Sequence, residues 1–242
     1  MPESPSHPDR TKSSLPPGAG RRKLYGRRKG PRLSDRQAGL RRTLLRDLAW
    51  VPGTDPGVQF PPGVTEIWLE VGFGAGEHLV WQAQAHPHVG LIGAEPYEMG
   101  MAKLLTKLEE THLNTVRLYE GDGREIIEAL PDASLGRFFL LFPDPWPKTR
   151  HHKRRFLQME TLDELARVLK PGAELRFATD DKSYLPYALE RLMAHPAFEW
   201  LAQGVGDWKS RPADWPPTRY ETKAIKGPPT FLRFRRRAKI AA

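Results

Sequence analysis

Cysteine is absent from the 242 residues. Disulfides and thiolate metal sites are therefore excluded, no metal is expected, and the composition suits a reducing compartment such as the cytoplasm. Long apolar runs are missing too. No stretch approaches the roughly 18 residues of a membrane helix, and the Arg-rich N-terminus lacks the apolar core of a secretory signal. That N-terminus also resembles an organellar presequence in being rich in Arg and Ser, but Pro and Gly interrupt it. A soluble, cytoplasmic protein is expected. No internal repeat is present, and the length suits one large domain with an arm rather than two independent domains.

Positive charge, by contrast, is plentiful and uneven. Of the net charge of +9, all is carried by the first 50 residues, with 13 bases against four acids. The neutral remainder holds two further basic patches, Lys148–Arg155 and Arg233–Lys239, with five bases each and no acid. One such cluster is ordinarily a solvated face. Three together point to a polyanion, because each neutralised phosphate releases counterions.

Residues 1–20, rich in Pro, Ser and Gly, are expected to be disordered. Residues 21–55 read as a basic arm in which Ser34 or Asp35 caps a short helix, and 56–242 as the main domain. From about residue 65, apolar runs alternate with helical periods. EIWLEVG, VGLIGAE, TVRLYEGD, RFFLLFPD and AELRFATDD read as strands, the fourth without alternation, as in a buried parallel sheet. RFLQMETLDELARVLKPG reads as one helix closed by Pro171 and Gly172. The fold class expected is α/β, a doubly wound, mostly parallel Rossmann-like sheet.

LEVGFGAGEHL places Gly72, Gly74 and Gly76 between a strand and a helix, where backbone amides can approach a ligand. A plain tight turn would use the same glycines. The dinucleotide pattern G-x-G-x-x-G fails, because Glu77 stands where its third glycine belongs. The tighter spacing, preceded by Glu70, suggests S-adenosylmethionine, whose ammonium an acid can meet. Glu95 ends the second strand, suited to ribose hydroxyls, and Asp122 ends the third, suited to the adenine amino group.

Asp144 ends the fourth strand in FPDPWPKTRHHKRR, restricted by Pro143 and Pro145 and followed by the flat face of Trp146. Acid, aromatic and cations beside a cofactor crevice describe methyl transfer to a nucleic-acid base. Together with GFGAGEHL, TDDKSYLPY and TRYETKAIKG, this run closely resembles the bacterial tRNA (guanine-N7)-methyltransferases, from about Arg21 to the C-terminus. YGRRKGPRLS is similar to that family's basic N-terminal motif. Gly123 departs from the pattern, standing where an alanine-like residue is more usual, and residues 1–20 have no assigned counterpart.

The resemblance implies methyl transfer from S-adenosylmethionine to N7 of a guanine in the tRNA variable loop. It implies cofactor contacts at Glu70, Glu95, Asp122 and Asp144, and substrate contacts at Lys148, Asp180 and Thr218, Arg219, Tyr220 and Glu221. RNA contacts are implied at Arg150, His151, His152, Lys153, Arg154 and Arg155. It also implies a monomer or homodimer without an obligatory protein partner. Asp180 can alternatively cap the helix that follows it. Two other readings stay open on the residues alone: an exocyclic-amine methyltransferase, whose Asp-Pro-Pro-aromatic motif DPWP partly imitates, and a noncatalytic RNA-binding protein; the loop spacing disfavours a nicotinamide dehydrogenase.

Overall fold

Alternate residues of the first strand face opposite ways, and each face carries a large buried apolar side chain, Trp68 on one and Leu69 on the other. The computed structural model, which describes residues 24–223 and 227–238, shows why: helices cover the sheet on both sides. In chain order the elements are α1 (Asp35–Arg42), α2 (Leu44–Asp47), β1 (Glu66–Val71), α3 (Glu77–Ala85), β2 (Val89–Ala94), α4 (Glu98–Thr111), β3 (Val116–Tyr119) and α5 (Gly123–Ala129). There follow β4 (Leu135–Leu141), α6 (Met159–Val168), β5 (Leu169–Thr179), α7 (Tyr184–Ala194), β6 (Phe198–Trp200), α8 (Gly206–Lys209), α9 (Arg219–Lys223) and β7 (Thr230–Arg236).

The sheet runs β3-β2-β1-β4-β5-β7-β6. The first five are parallel neighbours, and β7 is antiparallel to both β5 and β6. The chain order reverses between β1 and β4, so their carboxyl ends open the crevice in which such sheets bind ligands. The lack of alternation in RFFLLF is explained by burial on both sides. Phe138 and Leu140 join the core with α5, α6 and α7, while Phe139 and Leu141 join the core with α3 and α4.

Two expectations are corrected. The helix expected from Arg155 begins only at Met159, because the Phe156 and Leu157 amides face the Tyr184 hydroxyl, at 3.0 and 3.4 Å, instead of entering a helical ladder. It ends at Val168, before Pro171 and Gly172, because Leu169 already pairs with Leu135 in the sheet. The Lys-Pro-Gly that follows makes the register shift before regular pairing starts at Glu174, with Gly172 at φ 85°.

Ser34, rather than Asp35, caps α1, in a capping box with Gln37. This helix and the residues after it pack on the domain. Leu40 is buried in the α4 core, Arg36 and Arg41 pair with Glu109 and with Glu98 and Glu120, and Trp50 donates to the Leu118 carbonyl at the sheet edge. The expected tail, residues 1–20, lies outside the described residues. The basic patch at the C-terminus is partly an internal structure. Arg233 is bonded to Glu174, Arg236 is buried against the Ala166 carbonyl, and Arg237 reaches Phe198, while Lys239 lies outside the described residues.

Candidate active site

A cavity of about 400 Å³ opens above the carboxyl ends of β1, β2 and β4. Its walls include Gly72, Gly74, Glu95, Asp122 and Asp144, so five of the expected cofactor residues meet in one place. The loop after β1 reaches there through three left-handed glycines, with φ of 74°, 59° and 75° at Gly72, Gly74 and Gly76. A Cβ on Gly72 would point into open space, whereas one on Gly76 would stand 2.5 Å from Leu104. Gly72 therefore leaves room for a ligand, and Gly76 lets α3 start against α4.

Glu95 is locked from behind. Its two carboxylate oxygens accept the Gly74 and Tyr97 amides at 2.8 and 2.9 Å. Each oxygen keeps a further acceptor direction for a ligand hydroxyl, which fits a ribose diol. Burial, reinforced by the nearby charges of Asp144 and Glu70 and opposed by the two amide bonds, pushes the Glu95 carboxyl up from about 4.5 to about 7. A folded carboxyl that holds its proton more tightly than the unfolded chain contributes stability that is fully present below pH 4.5 and lost as pH rises through about 7. Glu95→Gln should therefore gain thermal stability relative to the wild type as pH is raised across that window. Unfolding midpoints of both proteins at several pH values test this, and a difference that stays constant with pH would refute it.

Asp122 does two things at once. It caps α5 by accepting the Arg124 amide at 3.0 Å and pairs with the Arg124 guanidinium at 3.1 Å, while bordering the cavity. Gly123, where the family pattern is broken, lies so close to β1 that a Cβ would meet Val71 at 2.4 Å. The smaller residue matches this packing.

Two unusual backbone conformations surround Asp144. Phe142 and Trp146 have φ of 50° and 44°, left-handed values that cost a bulky L-residue about 1–3 kcal/mol each. The Phe142 amide is tied to the Ala178 carbonyl of β5 at 2.8 Å. With Pro143 and Pro145 between them, the carboxylate is presented by a strained, anchored loop.

The chain before α1 also enters the site, which the spacing of the motifs did not reveal. Leu24 to Arg27 form part of the cavity wall. A Cβ on Gly26 would stand 3.2 Å from the Asp144 carboxylate, and Tyr25 meets Trp146 edge-on at 6.2 Å. The Arg154 guanidinium lies over both rings, at 4.4 Å from Tyr25 and 4.9 Å from Trp146. The signal available in the sequence was Tyr25, an aromatic in an otherwise basic arm.

The remaining expected residues are distributed differently. Glu70 does not border the cavity; it is 2% exposed and bonded to His78. Lys148, Arg150 and Lys153 are exposed around the 3-10 turn Thr149–Arg154, whereas His151 packs against Trp146 and His152 against Tyr187. Arg155 is 0% exposed. Its guanidinium donates to the Pro145 carbonyl at 2.8 Å and to the Ser183 carbonyl and hydroxyl at 3.2 and 2.9 Å, so it faces inward rather than toward a polyanion.

Ser183 is the N-cap residue of α7, and Asp181, two residues before it, covers the helix start by accepting from the Ser183 amide and hydroxyl and the Tyr184 amide; its neighbour Asp180 is half-buried beside it. Thr218 is buried and accepts the Glu221 amide, Glu221 pairs with Arg211, and Arg219 is exposed. The Tyr220 side chain lies outside what is described. None of these described side chains forms part of the cavity wall.

A family model described as "Putative methyltransferase" matches residues 65–231. The tRNA (guanine-N(7)-)-methyltransferase of Rhodospirillum rubrum is 49% identical over 228 residues, 90% of this chain and 89% of that protein. The enzyme of the same name from Paramagnetospirillum magneticum is 50% identical over 91% of this chain and 95% of its own. The chain belongs to the tRNA (guanine-N7)-methyltransferase family. Among solved structures, an rRNA methylase from Streptococcus thermophilus aligns with a TM-score of 0.50 at 13% identity, over 72% of this chain and 89% of its own. The cyclase SpnF aligns with the same score at 16% identity, over 86% and 84%. These two likenesses concern the Rossmann-like fold alone. Within the methyltransferase family, the cofactor is S-adenosylmethionine, and the open glycine at 72 and the back-bonded Glu95 fit it.

Proposed function

We propose that the chain methylates N7 of a guanine in the variable loop of tRNA, using Asp144 as the residue that orients the base and stabilises its charge. The observation that carries this reading is the meeting of Asp144 with Glu95 and the glycine loop in one cavity. S-adenosylmethionine supplies an electrophilic methyl group. Guanine N7 has an in-plane lone pair and no proton, so the protein need not supply a base. The methylated purine is cationic, and a carboxylate held at its edge stabilises that charge as it develops. Trp146 offers a face for the purine, and a rigid loop favours rate through positioning.

For the cofactor, Glu95 takes the ribose hydroxyls, Asp122 the adenine edge, and Gly72 and Gly74 let the backbone come close. Glu70 then acts from just behind the wall.

The deciding experiment is incubation with labelled cofactor and unmodified tRNA, followed by mapping of the methyl group. N7 methylation weakens the glycosidic bond, so mild reduction and amine treatment cleave the strand at one guanine. Methylation without such cleavage would indicate the exocyclic-amine chemistry instead. No labelling together with tight tRNA binding would leave a noncatalytic RNA binder.

RNA contact is assigned to Lys148, Arg150 and Lys153, three exposed cations in the segment that follows Trp146. Replacing these three by Ala should weaken tRNA binding and flatten its dependence on salt by up to about 0.9 per lost phosphate contact. Folding stability should hardly change, since all three are exposed. Binding isotherms at several salt concentrations test this; an unaltered slope removes the three residues from the RNA interface.

A further inference from the structure

Glu70, His78 and Gln82 form a buried line of hydrogen bonds that leaves the cofactor side and ends on a distant loop. His78 Nδ1 is 2.8 Å from Glu70 Oε2, His78 Nε2 is 3.1 Å from Gln82 Nε2, and Gln82 Nε2 is 3.0 Å from the Asp214 carbonyl. All three side chains are 2% exposed or less.

The donor roles follow from the last contact. A backbone carbonyl only accepts, so Gln82 must present its amide nitrogen to Asp214, leaving its own oxygen buried without a partner. The second amide hydrogen then points at His78 Nε2, which must carry a lone pair. The imidazole proton therefore sits on Nδ1 and is donated to Glu70.

Beyond Asp214 the line continues. Arg176, buried on the interior strand β5, bonds the Asp214 carboxylate at 2.7 Å. Trp215 is buried beside His78, with ring centroids 6.0 Å apart. Arg211 donates to the Trp215 carbonyl at 2.7 Å and to Glu221 at 3.0 Å. Glu221 lies on α9, in the segment assigned to substrate.

We propose that His78 and Gln82 are positioning residues that tie Glu70 to the segment Thr218–Glu221, so that occupancy of the cofactor site and affinity for RNA are linked. Only the identity of the second ligand rests on the reading of the chain as a tRNA methyltransferase. A Glu70 carboxylate that turns toward a bound ammonium draws on its sole described side-chain partner, His78. The ring cannot shift without releasing Gln82, and Gln82 cannot shift without releasing Asp214. Such coupling is reciprocal, so RNA bound at α9 also alters affinity at the cofactor site.

The test uses full-length protein, S-adenosylhomocysteine as a non-reacting cofactor probe, and an unmodified tRNA transcript. Calorimetry measures the probe's affinity with and without saturating transcript. The wild type should show a difference of about fivefold or more, and Gln82→Met should bring the ratio close to one while both ligands still bind. If Gln82→Met does not fold, Gln82→Asn, too short to span both partners, takes its place. A wild-type ratio of one, or a variant ratio equal to the wild type, overturns the proposal.

Nitrogen NMR of the imidazoles reads the line without any RNA. His78 should be protonated at Nδ1 and bare at Nε2 at neutral pH, and its Nε2 signal should move in the Gln82 variant; a protonated Nε2 in the wild type overturns the proposal as well. A transcript that is neither bound nor methylated defeats the proposed function instead, and the NMR result still decides whether His78 and Gln82 hold Glu70 as described.

Discussion

Asp144→Asn should lower the rate of methyl transfer by about 100-fold or more, the scale of losing one preorganised electrostatic contact to a transition state, while S-adenosylhomocysteine still binds. The substitution preserves shape. Pro143, Pro145 and the left-handed Phe142 and Trp146 restrict the loop backbone on both sides of residue 144, so the amide should occupy the position of the carboxylate. What changes is charge: a purine becoming cationic would meet a neutral dipole. Single-turnover rates at saturating cofactor and tRNA separate this loss from binding. The loss should persist at every pH, because N7 has no proton to remove. A variant restored to near wild-type rate by raising pH would instead show that Asp144 abstracts a proton.

The part of this site that is legible in sequence is the part encoded within single strand-to-helix units. Glu95, Asp122 and Asp144 each follow an apolar run, and a parallel sheet brings all such ends to one edge. What was not legible depends on partners far along the chain. Arg155 ends a run of exposed cations, and nothing near it in sequence distinguishes it from Lys153. Its burial is decided by Ser183, Tyr184 and Tyr187, on the helix after β5.

Glu70 illustrates a different limit. An acid at a strand end suggests a ligand, yet the first turn of α3 sets His78 directly against it. Asp180 and Asp181 are adjacent acids, either able to cover the start of α7; the amides of Ser183 and Tyr184 select the second. The contribution of Leu24–Arg27 to the cavity wall was hidden because the arm's charge pointed to RNA alone, while its contact with the site runs through Tyr25, Gly26 and the Arg154 stack.

Arg155→Ala should destabilise the fold by about 3–5 kcal/mol, the combined effect of leaving buried acceptors without a donor and of emptying the space of a large buried side chain. For a domain of this size that corresponds to a fall of roughly 10 °C in Tm. Three acceptors lose their donor: the carbonyls of Pro145 and Ser183 and the Ser183 hydroxyl. The rings of Tyr184 and Tyr187 also lose the guanidinium stacked on them at 4.8 and 4.5 Å. Activity should fall further than stability alone explains, because the Pro145 bond fixes the loop next to Asp144. Arg155→Lys should not restore it: one ammonium cannot reproduce the planar fork that reaches Pro145 and Ser183 together. Thermal unfolding beside steady-state kinetics checks this. An unchanged Tm with only a salt-dependent rise in KM for tRNA would place Arg155 on the RNA, as the sequence suggested, and would contradict its inward packing. The expected result places it beneath the loop that carries Asp144, holding β4's end to α7 and facing away from the exposed Lys148, Arg150 and Lys153.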